Sequence, residues 1–208
     1  MIESRCGIRC NECEYREKMN CAGCTNIDKP FWGDSCDVKT CCEGKGFGFC
    51  GQCPDFPCAT LNGMSYAEEE GDNGKRIRNC IMWAVGFDAE KFIAAVASQD
   101  ADALKAFFVP DAVICWHDSN EQFTVTEYIR ANCEYPGDWC GEILRIEKIS
   151  SGLAIVTKIS SKDFATLVTA FITLENGKIS RLDEYYAGCN DEIPKWRKDM
   201  NIGKAISQ

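Results

Sequence analysis

The sequence predicts an α+β protein in two parts: a small, metal-stapled cysteine-rich module, and then helices packed on a curved antiparallel sheet. Two observations predict this architecture. Eleven of the sixteen cysteines lie before residue 60, and the hydrophobic period changes from helical to alternating near residue 140. Helices followed by a run of alternating strands are typical of the α+β class. We therefore expect one domain at residues 1–86 and a second at residues 87–208.

Composition excludes several functional classes. The chain has 208 residues and 45% hydrophobic content, so it can bury an apolar core and suits one large domain or two small ones. Its start lacks a signal-peptide pattern, and no segment offers the ~18 apolar residues of a membrane helix, so we expect a cytoplasmic protein without membrane contact. The net charge is −9 and Lys and Arg do not cluster. Because nucleic-acid binding needs such clusters, no nucleic-acid partner is expected.

The first sixty residues carry cysteines in short-spaced groups, written "CNEC", "CAGC", "CDVKTCC" and "CGQCPDFPC". A C-x2-C turn places two sulfurs on one side of a tight loop, and two such turns supply the four thiolates of a tetrahedral zinc site. In a reducing compartment this spacing favours metal ligands, with free or disulfide-bonded cysteines as the alternative. Since large apolar residues are sparse here, bound metal would supply much of the folding free energy.

The opening stretch "CGIRCNEC" raises a second metal as an alternative, because C-x3-C-x2-C can hold three corners of an iron–sulfur cluster. Radical enzymes of that kind surround the cluster with a barrel of alternating strands and helices. Here the motif is followed by more cysteines and then by an unrelated domain. The context therefore favours zinc.

The cysteine order C-G-x2-C-x2-C, C-x-G-C, C-x4-C and C-x2-C-x2-F-P-C resembles the DUF3795 family over residues 5–85. The similar stretch includes "GDNGKRIRNCIMWAVGF", which predicts a short helix with Ile77, Ile81 and Val85 on one face. The resemblance implies zinc, about two ions at four thiolates each, without fixing how the cysteines pair. Ten cysteines fall on the pattern and Cys42 is the extra one; the expected ligands are Cys6, Cys10, Cys13, Cys21, Cys24, Cys36, Cys41, Cys50, Cys53 and Cys58.

The second part opens with helices. Phe92, Ile93 and Val96 have helical spacing, and "DADALKAFF" predicts a second short helix that stops near Pro110. A strand "AVICW" follows, and then a polar turn "HDSNEQF". Thr124 with Glu127 three residues later is a capping-box signature, which begins the predicted helix "VTEYIRANC".

Four strands are predicted after Trp139, in "CGEILRIEKIS", "LAIVTKIS", "ATLVTAFITL" and "KISRLDEYY", with an Asn-Gly hairpin turn before the last. This order resembles the SnoaL-like branch of the NTF2-like cone fold. The phrases that carry the resemblance are "FFVPDAVICWHDSNEQFTVTEYIRANCEYPGDW", "LENGKISRLDEYY" and "PKWRKDMNIGKAI". It implies an apolar pocket and a homodimer formed through the sheet. Relatives include polyketide cyclases, a steroid isomerase and dehydratases, and also proteins that only bind or scaffold.

His117 is the single histidine of the chain and stands beside Asp118 in "WHDSNE". An imidazole next to a carboxylate suits general acid–base work. Strand alternation puts His117 on the face of Cys115, opposite Trp116, so both can enter one pocket only if the strand bulges. The alternative is a structural histidine at a strand end.

The last strand, "RLDEYY", has two faces: Arg181, Asp183 and Tyr185 on one, and Leu182, Glu184 and Tyr186 on the other. A carboxyl group buried beside aromatic rings could keep a raised pKa and move a proton; the alternative is plain sheet surface with one face in a dimer. The expected catalytic residues are His117, Asp118 and Glu184. The expected pocket residues are Trp116, Glu121, Trp139, Tyr185 and Tyr186, although Trp139 would equally suit the core.

Three functional hypotheses follow. In the first, a zinc-stabilised cytoplasmic protein binds a small, partly apolar molecule, and acid–base turnover of the isomerase, cyclase or dehydratase kind takes place in the pocket. In the second, it is a non-enzymatic interaction protein whose C-terminal domain only dimerises. In the third, cysteines beyond the eight needed for two closed zinc sites make it a metal or redox sensor.

Overall fold

The structure is a computed structural model that describes residues 2–189, 193–200 and 202–203. Part of the C-terminal phrase that resembles SnoaL-like proteins, residues 201 and 204–206, lies outside the described residues. No helix in the described ranges is long and apolar enough to cross a membrane.

The N-terminal part consists of short helices between cysteine-bearing turns. Its helices are α1 (Tyr15–Lys18), α2 (Asp37–Gly44), α3 (Ala59–Ser65) and α4 (Lys75–Val85), and short 3₁₀ turns lie at Cys10–Glu12, Cys24–Asn26 and Cys50–Gln52. Helix α4 contains the predicted apolar face, with Ile77 and Ile81 buried. It ends at Gly86, whose φ of 71° is the left-handed C-cap that glycine adopts without strain.

The opening loop packs directly on α4 through Gly7. The Asn79 side-chain amide donates to the Gly7 carbonyl oxygen over 2.8 Å, and the Gly7 backbone has a φ of 97°. A Cβ atom at this position would lie 1.9 Å from the Arg76 carbonyl oxygen. Only glycine permits this approach, so the Cys-Gly pair of the opening motif positions the loop as well as a thiol.

The C-terminal helices are α5 (Ala89–Ala97), α6 (Ala101–Ala106), α7 (Val125–Cys133) and α8 (Lys195–Asp199). Side chains of Asp88 and Asp100 cap α5 and α6 by accepting backbone N–H groups. At α7 both halves of the predicted capping box are present, since Thr124 and Glu127 each accept the other's backbone N–H. The helix that this signature predicts is confirmed.

The sheet has six strands in the order β2-β1-β6-β5-β4-β3. The strands are β1 (Phe108–Trp116), β2 (Glu121–Phe123), β3 (Cys140–Ile149), β4 (Gly152–Ser160), β5 (Ala165–Glu175) and β6 (Lys178–Gly188). The α+β class is confirmed, and so is the antiparallel run from β3 to β6. The expectation of an antiparallel sheet fails for one pair of strands. Strand β1 pairs with β6 in parallel, so the sheet is mixed. Alternation reveals which face a residue occupies, not the direction of its neighbouring strand.

Two further details of β1 and β2 differ from the sequence prediction. Strand β1 begins at Phe108, and Pro110 lies in a stretch where the register with β6 shifts. Proline cannot donate to the ladder, so such an irregular stretch is where a strand tolerates it. Strand β2 forms within the polar segment that predicts only a turn. Other register shifts occur near Leu144 and Leu174, and bulges of this kind bend a sheet.

One hydrophobic core joins the two parts of the chain. Buried Leu61, Ile77 and Ile81 from the first part belong to the same cluster as Phe87 and Phe92. Ion pairs also bridge the two parts. The Arg9 guanidinium group lies 3.5 Å from the Asp88 carboxylate and 3.3 Å from that of Glu90. The division after residue 86 stays a prediction, which cooperative unfolding can check.

Candidate functional site

A cavity of about 390 Å³ lies between the inner face of the sheet and the helices α5 and α7. Its walls are mostly apolar. Helix α5 contributes Ile93 and Val96, helix α7 contributes Tyr128, and the sheet contributes aliphatic side chains such as Ile155 and Val168. Cavities of this size, apolar with a few polar groups, are typical small-molecule sites.

Glu184 is the buried acid of this cavity, with 6% of its surface exposed. Trp116 Nε1 donates to its Oε2 over 2.7 Å, and the Tyr186 hydroxyl donates to the same oxygen over 3.2 Å. Burial raises the pKa of Glu184 to about 7, with the nearby Asp118 adding to the rise and the two hydrogen bonds opposing it. Near neutral pH the carboxyl group therefore exists in both protonation states, as a group that gives and takes protons must.

The two tyrosines beside Glu184 remain protonated. Burial, followed by the charge of Glu184, raises the pKa of Tyr186 far above its usual range. The same causes raise the pKa of Tyr128, of which only 1% is exposed. Both hydroxyl groups thus serve as hydrogen-bond donors or acceptors but not as proton sources.

Two polar atoms of residues in the cavity wall are buried without a partner. Thr157 Oγ1 and Trp139 Nε1 have no hydrogen-bond partner in the part of the chain that the structure describes. Thr157 is 1% exposed. Leaving such atoms unpaired costs free energy. Because both atoms are shut off from solvent, they do not open into the cavity.

His117 lies on the outer face of the sheet, away from the cavity. Its Nε2 is 2.8 Å from Asp183 Oδ1, and its ring stacks on Tyr185 with centroids 4.4 Å apart. Neighbouring residues of a strand point to opposite faces, so Trp116 and Glu184 turn inward while His117 and Asp183 turn outward. The structure thus separates His117 from the other two predicted catalytic residues, Asp118 and Glu184, which line the cavity.

The predicted pocket residues divide in the same way. Trp116, Glu121, Trp139 and Tyr186 line the cavity. Tyr185 does not; it faces outward, where it also contacts Phe171 at 6.0 Å. Thr157 also lines the cavity, although it is not among the predicted pocket residues. Alternation along β4 places it on the same inward face as the apolar Ile155.

The outer face brings together a thiol, an imidazole and a carboxylate. The ligand atoms of Cys115, His117 and Asp183 all lie within 4.8 Å of one another. The Arg181 guanidinium group already supplies a cation there, donating to both Asp183 oxygens (2.6 and 2.7 Å) and to Cys115 Sγ (3.6 Å). Burial acts to raise the pKa of Asp183, but the hydrogen bonds from Arg181 and His117 outweigh it and hold the pKa below its usual value. This is an ion-pair network rather than an open metal site.

Four cysteines converge in the interior of the N-terminal part: Cys6, Cys42, Cys50 and Cys80. The Cys50 thiol lies near the thiols of Cys42, Cys6 and Cys80. Burial raises the pKa of Cys6 to about 11 and that of Cys80 to about 12. Cys42 and Cys80 are not among the ligands expected from the sequence. Cys80 approaches its partners only when α4 packs on the module.

The remaining cysteines form two further groups. Cys10 neighbours Cys13 and Cys24, which brings the first two C-x2-C turns together; Cys21 belongs to the second of these turns. Cys41, Cys53 and Cys58 line a small cavity of about 20 Å³ together with Cys42 and Cys50. Cys36 precedes α2 and packs against the core.

The donor type in these groups fits zinc, which prefers thiolate ligands. Their spacing is wider than coordination requires. Among the described residues, the group whose ligand atoms all lie within 4.8 Å of one another is the outer-face trio of Cys115, His117 and Asp183, and it contains one cysteine. Zinc binding would have to draw the sulfurs of the module closer together.

Comparisons with known proteins found one family match and several similar structures. Residues 2–63 match the DUF3795 family, described as a protein of unknown function. The structure is similar to that of a protein provisionally assigned as a ketosteroid isomerase from Kribbella flavida, with 19% identity and a TM-score of 0.49 over 58% of this chain and 88% of that one. It is also similar to an NTF-2 like protein of unknown function from Burkholderia xenovorans, with 21% identity and a TM-score of 0.48 over 57% of this chain and 92% of that one. Among curated proteins, none matches the chain.

Proposed function

We propose that the C-terminal part binds a small, partly apolar molecule in the cavity and that Glu184 exchanges a proton with it, in a reaction of the isomerase, cyclase or dehydratase kind. One observation carries this proposal: a carboxyl group with a pKa of about 7 lies at the wall of an apolar cavity. Trp116 and Tyr186 orient it through one oxygen. A base poised near the working pH is what proton transfer at carbon requires.

Glu184→Gln tests this proposal against His117→Gln as its matched control. Both substitutions give a neutral amide side chain, but only Glu184 lines the cavity. Ketones with apolar bodies would be screened for exchange of α-protons with deuterated water by NMR. We expect exchange with the unaltered protein, loss of at least about a hundredfold with Glu184→Gln, and no comparable loss with His117→Gln. Equal activity of the Glu184 variant would overturn the proposal.

We further propose that the cysteine module binds about two zinc ions, one in the group of Cys6, Cys42, Cys50 and Cys80 and one between the first two C-x2-C turns. Support comes from the thiol donors that converge in each group. Elemental analysis of purified protein checks the number. Cys80→Ser should remove about one zinc ion per chain, whereas Cys140→Ser, at an exposed cysteine, should remove none.

Thiol titration of the native protein separates structural zinc from the sensor hypothesis. Closed zinc sites should leave their eight ligand thiols unreactive, with reaction confined to the few module cysteines outside them such as exposed Cys41, whereas a redox sensor should show a labile set that oxidises reversibly. A brown protein with a visible absorption band would point to iron–sulfur chemistry instead.

The rival hypothesis, an interaction protein that dimerises through its sheet, draws support from the outer face. Phe171 and Tyr185 are 44% and 45% exposed there and contact each other. Exposed aromatic residues of this kind are enriched at protein interfaces. We propose a homodimer on this face, and sedimentation analysis of Tyr185→Arg beside the unaltered protein tests it. If the unaltered protein is a monomer that still carries out proton exchange, the dimer proposal fails and the proposed site stands.

A further inference from the structure

The cavity that would hold the small molecule has a one-sided charge. Three carboxyl side chains line it, those of Asp118, Glu121 and Glu184. None of the described residues that line it is Lys, Arg or His. An anionic ligand would meet three acids without a counter-charge, and burying an uncompensated charge in apolar surroundings is costly.

The wall around these acids is aromatic. Six aromatic side chains line the cavity: Trp116, Tyr128, Tyr135, Trp139, Phe164 and Tyr186. Trp116 is the centre of one group, with its ring 5.7 Å from Tyr186 and 6.2 Å from Tyr128, both edge to face. Aromatic faces attract cations, most strongly where water is excluded. Trp139 forms a second group with Tyr135 and Phe164, at 5.4 and 6.0 Å.

The strands of the sheet set the width of the cavity. Thr157 and Tyr186 both line it. Thr157 and Tyr186 both lie opposite Val168 of the strand between them. Two strand spacings, about 10 Å, therefore separate Thr157 from Tyr186, whose hydroxyl group donates to Glu184.

We propose that the ligand of this cavity is an organic cation, a protonated amine with an apolar body, whose ammonium group is held by Glu184 among the aromatic side chains. This inference rests on the proposed small-molecule site and narrows its substrate class. Glu184 is 6% exposed, and a cation beside it compensates its charge, which a neutral ligand cannot do. Asp118, which is exposed, adds negative charge to the cavity wall. The aliphatic side chains of Ile155 and Val168 suit the apolar body.

Three probes with one skeleton test the charge preference: 1-adamantylmethylamine, 1-adamantylmethanol and 1-adamantanecarboxylate. Their rigid apolar body is the same, and at pH 8 they are cationic, neutral and anionic. Titration calorimetry of the full chain would measure each affinity for the unaltered protein, for Glu184→Gln, and for Glu142→Gln. The last is a charge-matched control, because Glu142 is exposed and lies outside the cavity lining.

We expect the amine to bind about tenfold more tightly than the alcohol, the carboxylate to bind least, and the amine preference to disappear in Glu184→Gln but persist in Glu142→Gln. If the alcohol binds as tightly as the amine, the inference of a cationic ligand fails and the proposed small-molecule site stands. If the preference for the amine survives in Glu184→Gln, it reflects general attraction to an acidic protein, and the inference fails. Absence of binding by all three probes would count against the cavity as a ligand site, and therefore against both proposals.

Discussion

Glu184 is the residue at which stability and chemistry conflict. Its carboxyl group is buried, and no cationic residue stands among the described residues of the cavity wall. Ionising it there costs free energy, which is why the pKa rises toward 7. The same rise gives the group its chemical use near neutral pH. Functional residues often reduce stability in this way.

The conflict predicts how stability depends on pH. The pKa of Glu184 is raised from 4.5 to about 7 in the folded state, so between these values the folded chain binds the proton more tightly than the unfolded chain. The contribution of Glu184 to the free energy of unfolding is thus fully present below pH 4.5 and is lost as pH rises to 7. Glu184→Gln cannot ionise, so it should match the unaltered protein near pH 4.5 and exceed it by up to about 3 kcal/mol at pH 8.

Urea unfolding of both proteins from pH 4.5 to 8 measures this difference. Glu142→Gln is the control, since it removes an exposed carboxylate and should give no such pH-dependent gain. A Glu184→Gln variant that is less stable at pH 8 than the unaltered protein would show that the carboxylate form is favoured, contrary to the burial argument.

Gly7 carries a second prediction at this scale. A methyl group there would lie 1.9 Å from the Arg76 carbonyl oxygen, on a backbone with φ of 97°. Gly7→Ala should therefore lower the free energy of unfolding by more than about 2 kcal/mol. Gly63→Ala is the matched control: it lies exposed in α3 with open space around it, so alanine should raise helix stability by up to about 1 kcal/mol. Equal effects of the two substitutions would contradict the close packing.

Single-residue features were predictable where they depend on local alternation. The pattern of "RLDEYY" correctly puts Glu184 and Asp183 on opposite faces, because side chains of a strand alternate. That Asp183 pairs with His117 was not predictable, since it depends on the register of β1 against β6, which are separated by more than sixty residues. The same limit applies to Cys80, which reaches Cys50 only after α4 has packed.

At the scale of elements, α7 forms one wall of the cavity and its start is fixed by local contacts. Thr124 accepts the Glu127 backbone N–H, and Glu127 accepts that of Thr124. Near its end, the Gln99 side-chain amide donates to the carbonyl oxygens of Asn132 and Tyr135 over 2.6 and 2.5 Å. The cap is readable in the sequence, whereas the Gln99 contacts depend on how α5 and α7 pack.

Thr124→Ala should lower the free energy of unfolding by about 1 kcal/mol, because it removes one half of the capping box. Thr126→Ala, two residues further along the same helix and exposed, should be neutral or slightly stabilising, since alanine favours helix. Thermal unfolding of both variants measures the difference. A comparable loss of unfolding free energy in both variants would mean that the capping box does not stabilise the helix.

Strand elements show the same division between local and distant information. The four strands from β3 to β6 follow from alternation and from the Asn-Gly turn. The parallel β1–β6 pair does not, and Pro110, which suggests the end of the preceding helix, lies inside β1. Proline is tolerated there because the ladder is irregular at that point.

At the scale of the whole molecule, the sequence suggests two domains and the packing joins them. Cysteines crowd one part and alternating strands the other, so composition changes sharply near residue 60. Yet the core runs without interruption from Leu61 and Ile81 to Phe92 and the sheet. Composition reports what each segment contains, but not that α4 buries one face against the module and contacts β3.

The continuous core predicts one cooperative unfolding transition for the full chain, because separate melting would expose apolar surface shared by both parts. Arg9 strengthens the connection. Its side chain is 15% exposed, and it pairs with Asp88 and Glu90 at the start of α5. Arg9→Ala should lower the melting temperature of the whole protein, with a loss of about 1–3 kcal/mol for a partly buried pair. Arg16→Ala, at an exposed position in the same module, should change the melting temperature little.

Scanning calorimetry of the unaltered protein, Arg9→Ala and Arg16→Ala distinguishes one cooperative unit from two independent domains. A single peak, with calorimetric and van't Hoff enthalpies in agreement, is expected for each, and Arg9→Ala should shift that peak without splitting it. Two peaks in the unaltered protein would establish independent domains at the division that the sequence predicts. If Arg9→Ala alone splits the peak, then the ion pairs, rather than the shared apolar core, couple the cysteine module to the cavity domain.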